Sequence, residues 1–108
     1  MIPADFRKLA LRIPGVIEGA HQGHADFRAN GRIFATLAYP DDSWAMVKLS
    51  PTDQRLYLDR YPESFTPAAG AWGHRGSTLV KLCAADPKIV ASALKFACAQ
   101  TASPRKRR

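Results

Sequence analysis

The spacing of hydrophobic residues changes along the chain and separates predicted helices from predicted strands. Near the N-terminus, apolar side chains recur at the spacing of one helical face: Ile2, Phe6, Leu9, Ala10 and Ile13. This pattern predicts a helix that begins at Pro3, where a missing N–H costs nothing, and ends at Pro14. A second helix is predicted over 50–60 and a third over 86–101, because each segment opens with a capping side chain followed by proline.

Five other segments have the alternation or the short apolar runs of β-strands: 16–19, 25–29, 32–38, 44–49 and 77–82. Asn30 and Gly31 favour the positive φ angles of a two-residue hairpin turn, so the second and third strands are predicted to pair. The third strand is apolar on both sides, which predicts a central position in the sheet. Residues 62–76 contain two prolines and three glycines and are predicted to form a loop.

The predicted order of helix, four strands, helix, strand and helix indicates an α+β fold. We expect a two-layer sandwich in which a mostly antiparallel sheet packs against helices. The chain of 108 residues is sufficient for one domain, expected over 1–101. The core between the two layers is predicted to include seven residues: Phe6, Leu9, Phe34, Leu37, Val47, Val80 and Leu94.

The charge of the chain gives the first indication of function. Sixteen Lys and Arg residues outnumber nine Asp and Glu residues, and four of them form the run Arg105, Lys106, Arg107 and Arg108. Such a run repels itself, so 102–108 is predicted to be a disordered tail that contacts phosphates without reading sequence, or that only aids solubility. Other basic residues on predicted strands, turns and loops are expected to contact phosphates as well: Arg28, Arg32, Lys48, Arg75 and Lys81. Arg28 and Arg32 flank the turn at 30–31 and predict a basic hairpin tip.

One cluster, formed by His21, His24 and Asp26, has the residue types of a metal site or an acid–base site. Within one strand, positions 21 and 24 would point to opposite faces, and they could converge only through a kink at Gly23. We therefore expect a pair of strand-end or turn histidines, with neither a metal nor another cofactor. No serine lies in the setting of a nucleophile elbow, and neither Cys83 nor Cys98 has an activating partner in the sequence. We therefore predict no catalytic residue and a protein that is not an enzyme.

A series of short motifs in this chain resembles the MmcQ/YjbR family. The matching segments include Asp5-Phe6-Arg7, Pro14-Gly15-Val16, Gly23-His24-Ala25-Asp26-Phe27-Arg28, Gly31-Arg32-Ile33-Phe34, Val47-Lys48-Leu49 and Gly70-Ala71-Trp72-Gly73. The resemblance covers about 5–100 and implies a compact α+β domain, similar to frataxin-like and secretion-chaperone-like folds. It also implies DNA binding of the "double wing" type. This chain departs from the family at Ser77, where a tryptophan is frequent, so the resemblance does not carry over a stacking surface beside Trp72.

Charge and resemblance together favour a non-enzymatic protein that binds nucleic acid, DNA in the first instance, through phosphate contacts. The alternative is an adaptor domain that binds a protein or a small ligand with the sheet face and the Trp72 loop. The predicted helices are separated by strands, so no helix-turn-helix and no base-specific reading are expected. No apolar run approaches the ~20 residues that span a membrane, and the charged N-terminus is unlike a secretion signal, so we expect a cytoplasmic monomer.

Overall fold

The computed structural model describes residues 1–102, which form one six-stranded sheet and its helices. The helices are α1 (Pro3–Leu11), α2 (Pro51–Arg60), α3 (Gly70–His74) and α4 (Pro87–Gln100), with a 3-10 turn at Leu82–Ala84. The strands are β1 (Ile17–His21), β2 (His24–Ala29), β3 (Arg32–Leu37), β4 (Trp44–Lys48), β5 (Phe65–Pro67) and β6 (Ser77–Lys81). The strand order is β1-β2-β3-β4-β6-β5, and all neighbours are antiparallel. The α+β fold class is confirmed; the predicted basic tail at 105–108 lies outside the described residues.

The helical layer consists mainly of α1 and α4, which pack together against one face of the sheet. The ring of Phe6 on α1 lies 6.2 Å from that of Phe27 on β2, so Phe27 marks the face that the helices cover. All seven predicted core residues belong to this cluster; six are buried and Leu9 is partly buried against them. Burial of these side chains holds the two layers together.

The central strand β3 contains an irregularity that shapes both faces of the sheet. Phe27 pairs with Ala35 and Arg28 pairs with Ile33, so the intervening Phe34 has no partner in β2. This bulge lets two consecutive residues, Phe34 and Ala35, be buried together. The predicted turn between β2 and β3 is confirmed, with φ angles of 53° at Asn30 and 75° at Gly31.

The segment 62–76, predicted to be a loop, contains the short elements β5 and α3. The backbone N–H of Ala68 donates to the carbonyl of Ser77, which ties this segment to the edge of β6. Gly76 makes the close approach possible: its φ is +112°, and a Cβ there would lie 1.8 Å from the carbonyl oxygen of Leu49. These contacts place α3 beside the sheet.

Candidate functional site

The face of the sheet turned away from α1 and α4, called the open face here, brings together most of the polar strand residues. Side chains alternate along a strand, so the neighbours of the buried core residues point to this face. The strand pairing places the following polar residues on it: His21, His24, Asp26, Arg28, Thr36, Lys48, Thr66, Ser77 and Lys81. The open face therefore carries most of the strand side chains that can bind a ligand.

A buried carboxylate, Asp26, organises one end of the open face. It is fully buried and accepts hydrogen bonds from Arg28 Nε at 2.7 Å, from Arg28 Nη2 at 3.1 Å, and from His21 Nδ1 at 2.7 Å. The hydrogen bonds from Arg28 and then His21 lower the pKa of Asp26, against the opposing effect of burial. Gly19 leaves room for this cluster, since a Cβ there would lie 2.9 Å from Arg28 Nε. Asp26 thus neutralises one cation and orients one imidazole.

The two histidines lie on the same face at adjoining strand ends, as the expected pair of strand-end or turn histidines. Gln22 and Gly23 form a tight turn with φ angles of 49° and 80°, and His21 pairs directly with His24 across the β1–β2 hairpin. Their ring centroids are 6.4 Å apart. The His24 ring stands edge-on to Tyr39 at 5.7 Å, and its Nδ1 is buried with no hydrogen-bond partner in the described chain. Within residues 1–102, no group of three His, Cys, Asp or Glu side chains is arranged to hold a metal ion.

The predicted phosphate-binding cations are divided between the two faces of the sheet. Lys48 and Lys81 lie on the open face at opposite ends of the paired strands β4 and β6, where Lys48 pairs with Ser77 and Lys81 with Trp44. Arg75 follows α3, with its guanidinium carbon 5.9 Å from the centre of the Trp72 ring. Arg75 is therefore held at the rim of the open face.

Arg28 and Arg32 do not form a joint hairpin tip. Arg28 lies on the open face and its charge is paired with Asp26. Arg32 pairs with Ala29, whose side chain is buried on the helix-covered side, and it lines a shallow cavity with Gln100 and Thr101 at the end of α4. The two-residue turn pairs Ala29 with Arg32 and Arg28 with Ile33, so the two arginines point to opposite faces of the hairpin.

A cavity of about 270 Å³ opens between the β1–β2 hairpin and α3. Its floor is formed by strand residues of the open face: Ile33, Thr36, Met46, Lys48 and Ser77. Its walls are formed by the hairpin tip, the loop after β3, the segment before α3 and α3 itself: His21, Gln22, Tyr39, Ala68, Ala69 and Trp72. Trp72 is 61% exposed and Tyr39 is 42% exposed, so two aromatic rings border the opening.

The polar groups at the floor of this cavity are available to a ligand. The Lys48 ammonium and the hydroxyls of Thr36 and Ser77 have no intramolecular hydrogen-bond or ion-pair partner among residues 1–102. A mainly apolar cavity with a few convergent polar groups is the usual form of a ligand site. The sequence identified Lys48 and Trp72 separately, but not Thr36, Tyr39 or Met46, because only strand register places them around one opening.

The cysteines lie outside this site. Cys98 packs partly buried against the core, and burial raises the pKa of its thiol, which is the reverse of what a reactive thiol needs. Cys83 is exposed on the 3-10 turn. In the described part of the chain, no helix combines the length and apolar character required to cross a membrane.

Comparison with known proteins identifies the family. The YjbR family model matches residues 11–97. The fold is similar to the crystal structure of the Deinococcus radiodurans protein DR2400, which contains a DUF419 domain. The TM-score is 0.71 and the sequence identity is 17%. The similarity covers 90% of this chain and 76% of that one. No curated protein matches the chain. Because the family model spans most of the sequence, this chain belongs to the YjbR family.

Proposed function

We propose that this protein is a non-enzymatic module that binds nucleic acid, DNA in the first instance, through the open face of its sheet. The observation that supports the proposal is the distribution of charge. On the open face, the described strands carry Arg28, Lys48 and Lys81 against one carboxylate, Asp26, which Arg28 already neutralises. A surface with excess fixed cations attracts phosphates and releases their counterions.

The described strands carry one other carboxylate, Glu18, and it does not lie on this face. Glu18 points to the helix-covered side, where Arg7 Nε donates to it at 2.6 Å, and the remaining carboxylates are on helices or loops. Arg75 adds a further cation at the rim, beside the exposed ring of Trp72. The open face therefore combines phosphate-binding and stacking groups, as surfaces that bind nucleic acid do.

The Asp26–His21 pair alone does not favour an enzyme. In many catalytic sites a buried carboxylate orients the histidine that acts as general base. Acyl transfer also needs a nucleophile beside that histidine. Among residues 1–102, no hydroxyl or thiol hydrogen-bonds to His21 or His24. Asp26 also binds Arg28 side-on, which suits a structural role for the cluster.

The salt dependence of binding tests the proposal. Fluorescence anisotropy with a labelled DNA duplex gives the slope of log K against log salt for the full chain and for a double variant, Lys48→Gln with Lys81→Gln. Each lost phosphate contact should flatten the slope by about 0.9 on duplex DNA, so the double variant should lose up to about 1.8.

The matched control also removes two positive charges, but from the helical layer. It is the double variant Lys88→Gln with Lys95→Gln on α4. Both lysines line cavities on the outer surface of α4, away from the open face. This control should leave the slope close to that of the parent. Equal effects of the two double variants would show that net charge acts without a defined face. Absence of binding to double-stranded and single-stranded nucleic acid alike at low salt would reject the proposal entirely.

A further inference from the structure

The cavity between the β1–β2 hairpin and α3 is larger than phosphate contacts alone require. We infer that it holds one unpaired base of a single-stranded nucleic acid, stacked on Trp72, with the adjoining phosphate at Lys48. This inference rests on the proposed function and specifies its ligand. It makes the protein a reader of single strands rather than of duplexes.

Trp72 provides the stacking surface. Its side chain is 61% exposed on a short helix that is fixed to the sheet through the segment before it, so the ring is presented by a rigid support. The exposed ring borders the cavity opening together with Tyr39, so a base that enters can stack on it. Arg75 lies over the ring at 5.9 Å and keeps a positive charge beside it. Rings with adjacent cations are the usual platforms for successive bases.

The cavity floor can hydrogen-bond to any base. Thr36 and Ser77 are almost fully buried, and each hydroxyl can donate or accept, so their pairing adapts to the edge that a base presents. Lys48 donates only and carries the charge that a phosphate needs. These groups recognise a base with attached phosphate without selecting one base.

The cavity favours an unpaired base over a paired one. Its volume of about 270 Å³ lies just under the range of about 300–1,000 Å³ typical of small-molecule pockets. A base inside a duplex has its edge occupied and both faces stacked, so it reaches such a cavity only after it is flipped out. An unpaired base enters without that cost. The expected ligand is therefore a single strand.

Binding of single and double strands by the same full-length chain tests this inference. The probes are labelled oligothymidylate of about 12 nucleotides, within the site sizes of small single-strand-binding folds, and a duplex of equal length, both at low salt. We expect tighter binding of the single strand. Trp72→Ala should weaken single-strand binding by about 5- to 150-fold and change duplex binding little. Trp72→Phe should recover most of the loss.

Two further variants separate the cavity from the surrounding surface. Ala69→Phe places a ring at the cavity wall without altering charge and should reduce single-strand binding selectively. His74→Ala is the matched control, because His74 is exposed on the same short helix but lines a different groove with Arg55 and Asp59. It should bind as the parent does.

The possible outcomes distinguish this inference from the proposed function. Equal affinity for both probes, with Trp72→Ala weakening neither, overturns the cavity inference and leaves phosphate binding by the open face intact. Thymidine monophosphate that binds as tightly as the oligonucleotide also overturns it, because the cavity would then be a site for a free small ligand. If neither probe binds, the proposed function fails first.

Discussion

The buried carboxylate Asp26 is the structural centre of the open face, and Asp26→Asn is the most direct perturbation of it. The substitution keeps the size and shape of the side chain and removes its charge. Asparagine can still accept a hydrogen bond from Arg28 through its oxygen, and its NH₂ group can donate to His21 if the imidazole adopts the other tautomer. The variant should therefore fold, but it loses the bond from Arg28 Nη2, which shares Oδ2 with His21, and the charge-assisted part of the other two.

The expected loss follows from the exposure of the partners. Hydrogen bonds to charged groups contribute about 1.5–3 kcal/mol each, but the side chains of His21 and Arg28 are 40% and 41% exposed, so water replaces much of what is lost. We expect the free energy of unfolding at neutral pH to fall by about 1–3 kcal/mol in total.

The stability difference between the parent and Asp26→Asn should depend on pH in a definite direction. Arg28 and His21 lower the pKa of Asp26 in the folded chain, so the folded state binds fewer protons than the unfolded state as the carboxyl titrates. The stabilisation is complete above the unfolded pKa of about 3.9 and disappears as the pH falls through the lower folded value. Urea denaturation followed by circular dichroism should show the largest difference between parent and variant near pH 7, and a shrinking difference below about pH 4.

Glu18→Gln provides the control, because it removes a carboxylate from a solvent-exposed pair. Arg7 and Glu18 are 2.6 Å apart, but their side chains are 55% and 30% exposed. Such a pair is worth about 0–1 kcal/mol. The reasoning about Asp26 is refuted if its variant is as stable as the parent at pH 7, or if the difference grows as the solution is acidified.

Three further predictions concern the core, the close approach at β6 and the tail. Phe34→Ala should lower the free energy of unfolding by about 3–5 kcal/mol in urea denaturation; a loss below about 1 kcal/mol would contradict its core position. Gly76→Ala should largely abolish the cooperative thermal transition, because its Cβ would overlap the carbonyl of Leu49; a parent-like transition would contradict the close approach. Deleting 105–108 should flatten the salt dependence of duplex binding by up to ~3–4 units if all four cations contact phosphates; an unchanged slope would assign binding to the domain.

The parts of the fold that could be predicted are those fixed by local chemistry. Pro3 and Pro51 fit the first turns of α1 and α2, the Ser50 side chain caps α2, and Asn30 adopts the positive φ that a two-residue turn requires. Each of these signals depends on neighbours within a few residues. The apolar spacing then identified the core, because burial follows the period of each element.

The parts that could not be predicted depend on register and on weak turn signals. Gln22 is an unusual residue at positive φ, so the β1–β2 turn was less evident than the Asn30 turn, and the histidines could not be placed as a cross-strand pair. The bulge at Phe34 shifts the pairing of β2 with β3 and buries Phe34 and Ala35 together, which the period of a regular strand does not predict. Three-residue β5 and five-residue α3 are too short for periodicity to detect.

A small residue at the start of β6, Ser77, lies in the floor of the cavity. Ser77 pairs with Lys48 and forms part of the cavity floor, where little of it is exposed. The tryptophan that the family resemblance leads one to expect at this position would occupy the same space from the floor, next to Trp72 on the wall. The smaller serine side chain leaves this space open and places a hydroxyl beside it. At this position the chain therefore keeps an open floor beneath Trp72, which is the space that the proposed base needs.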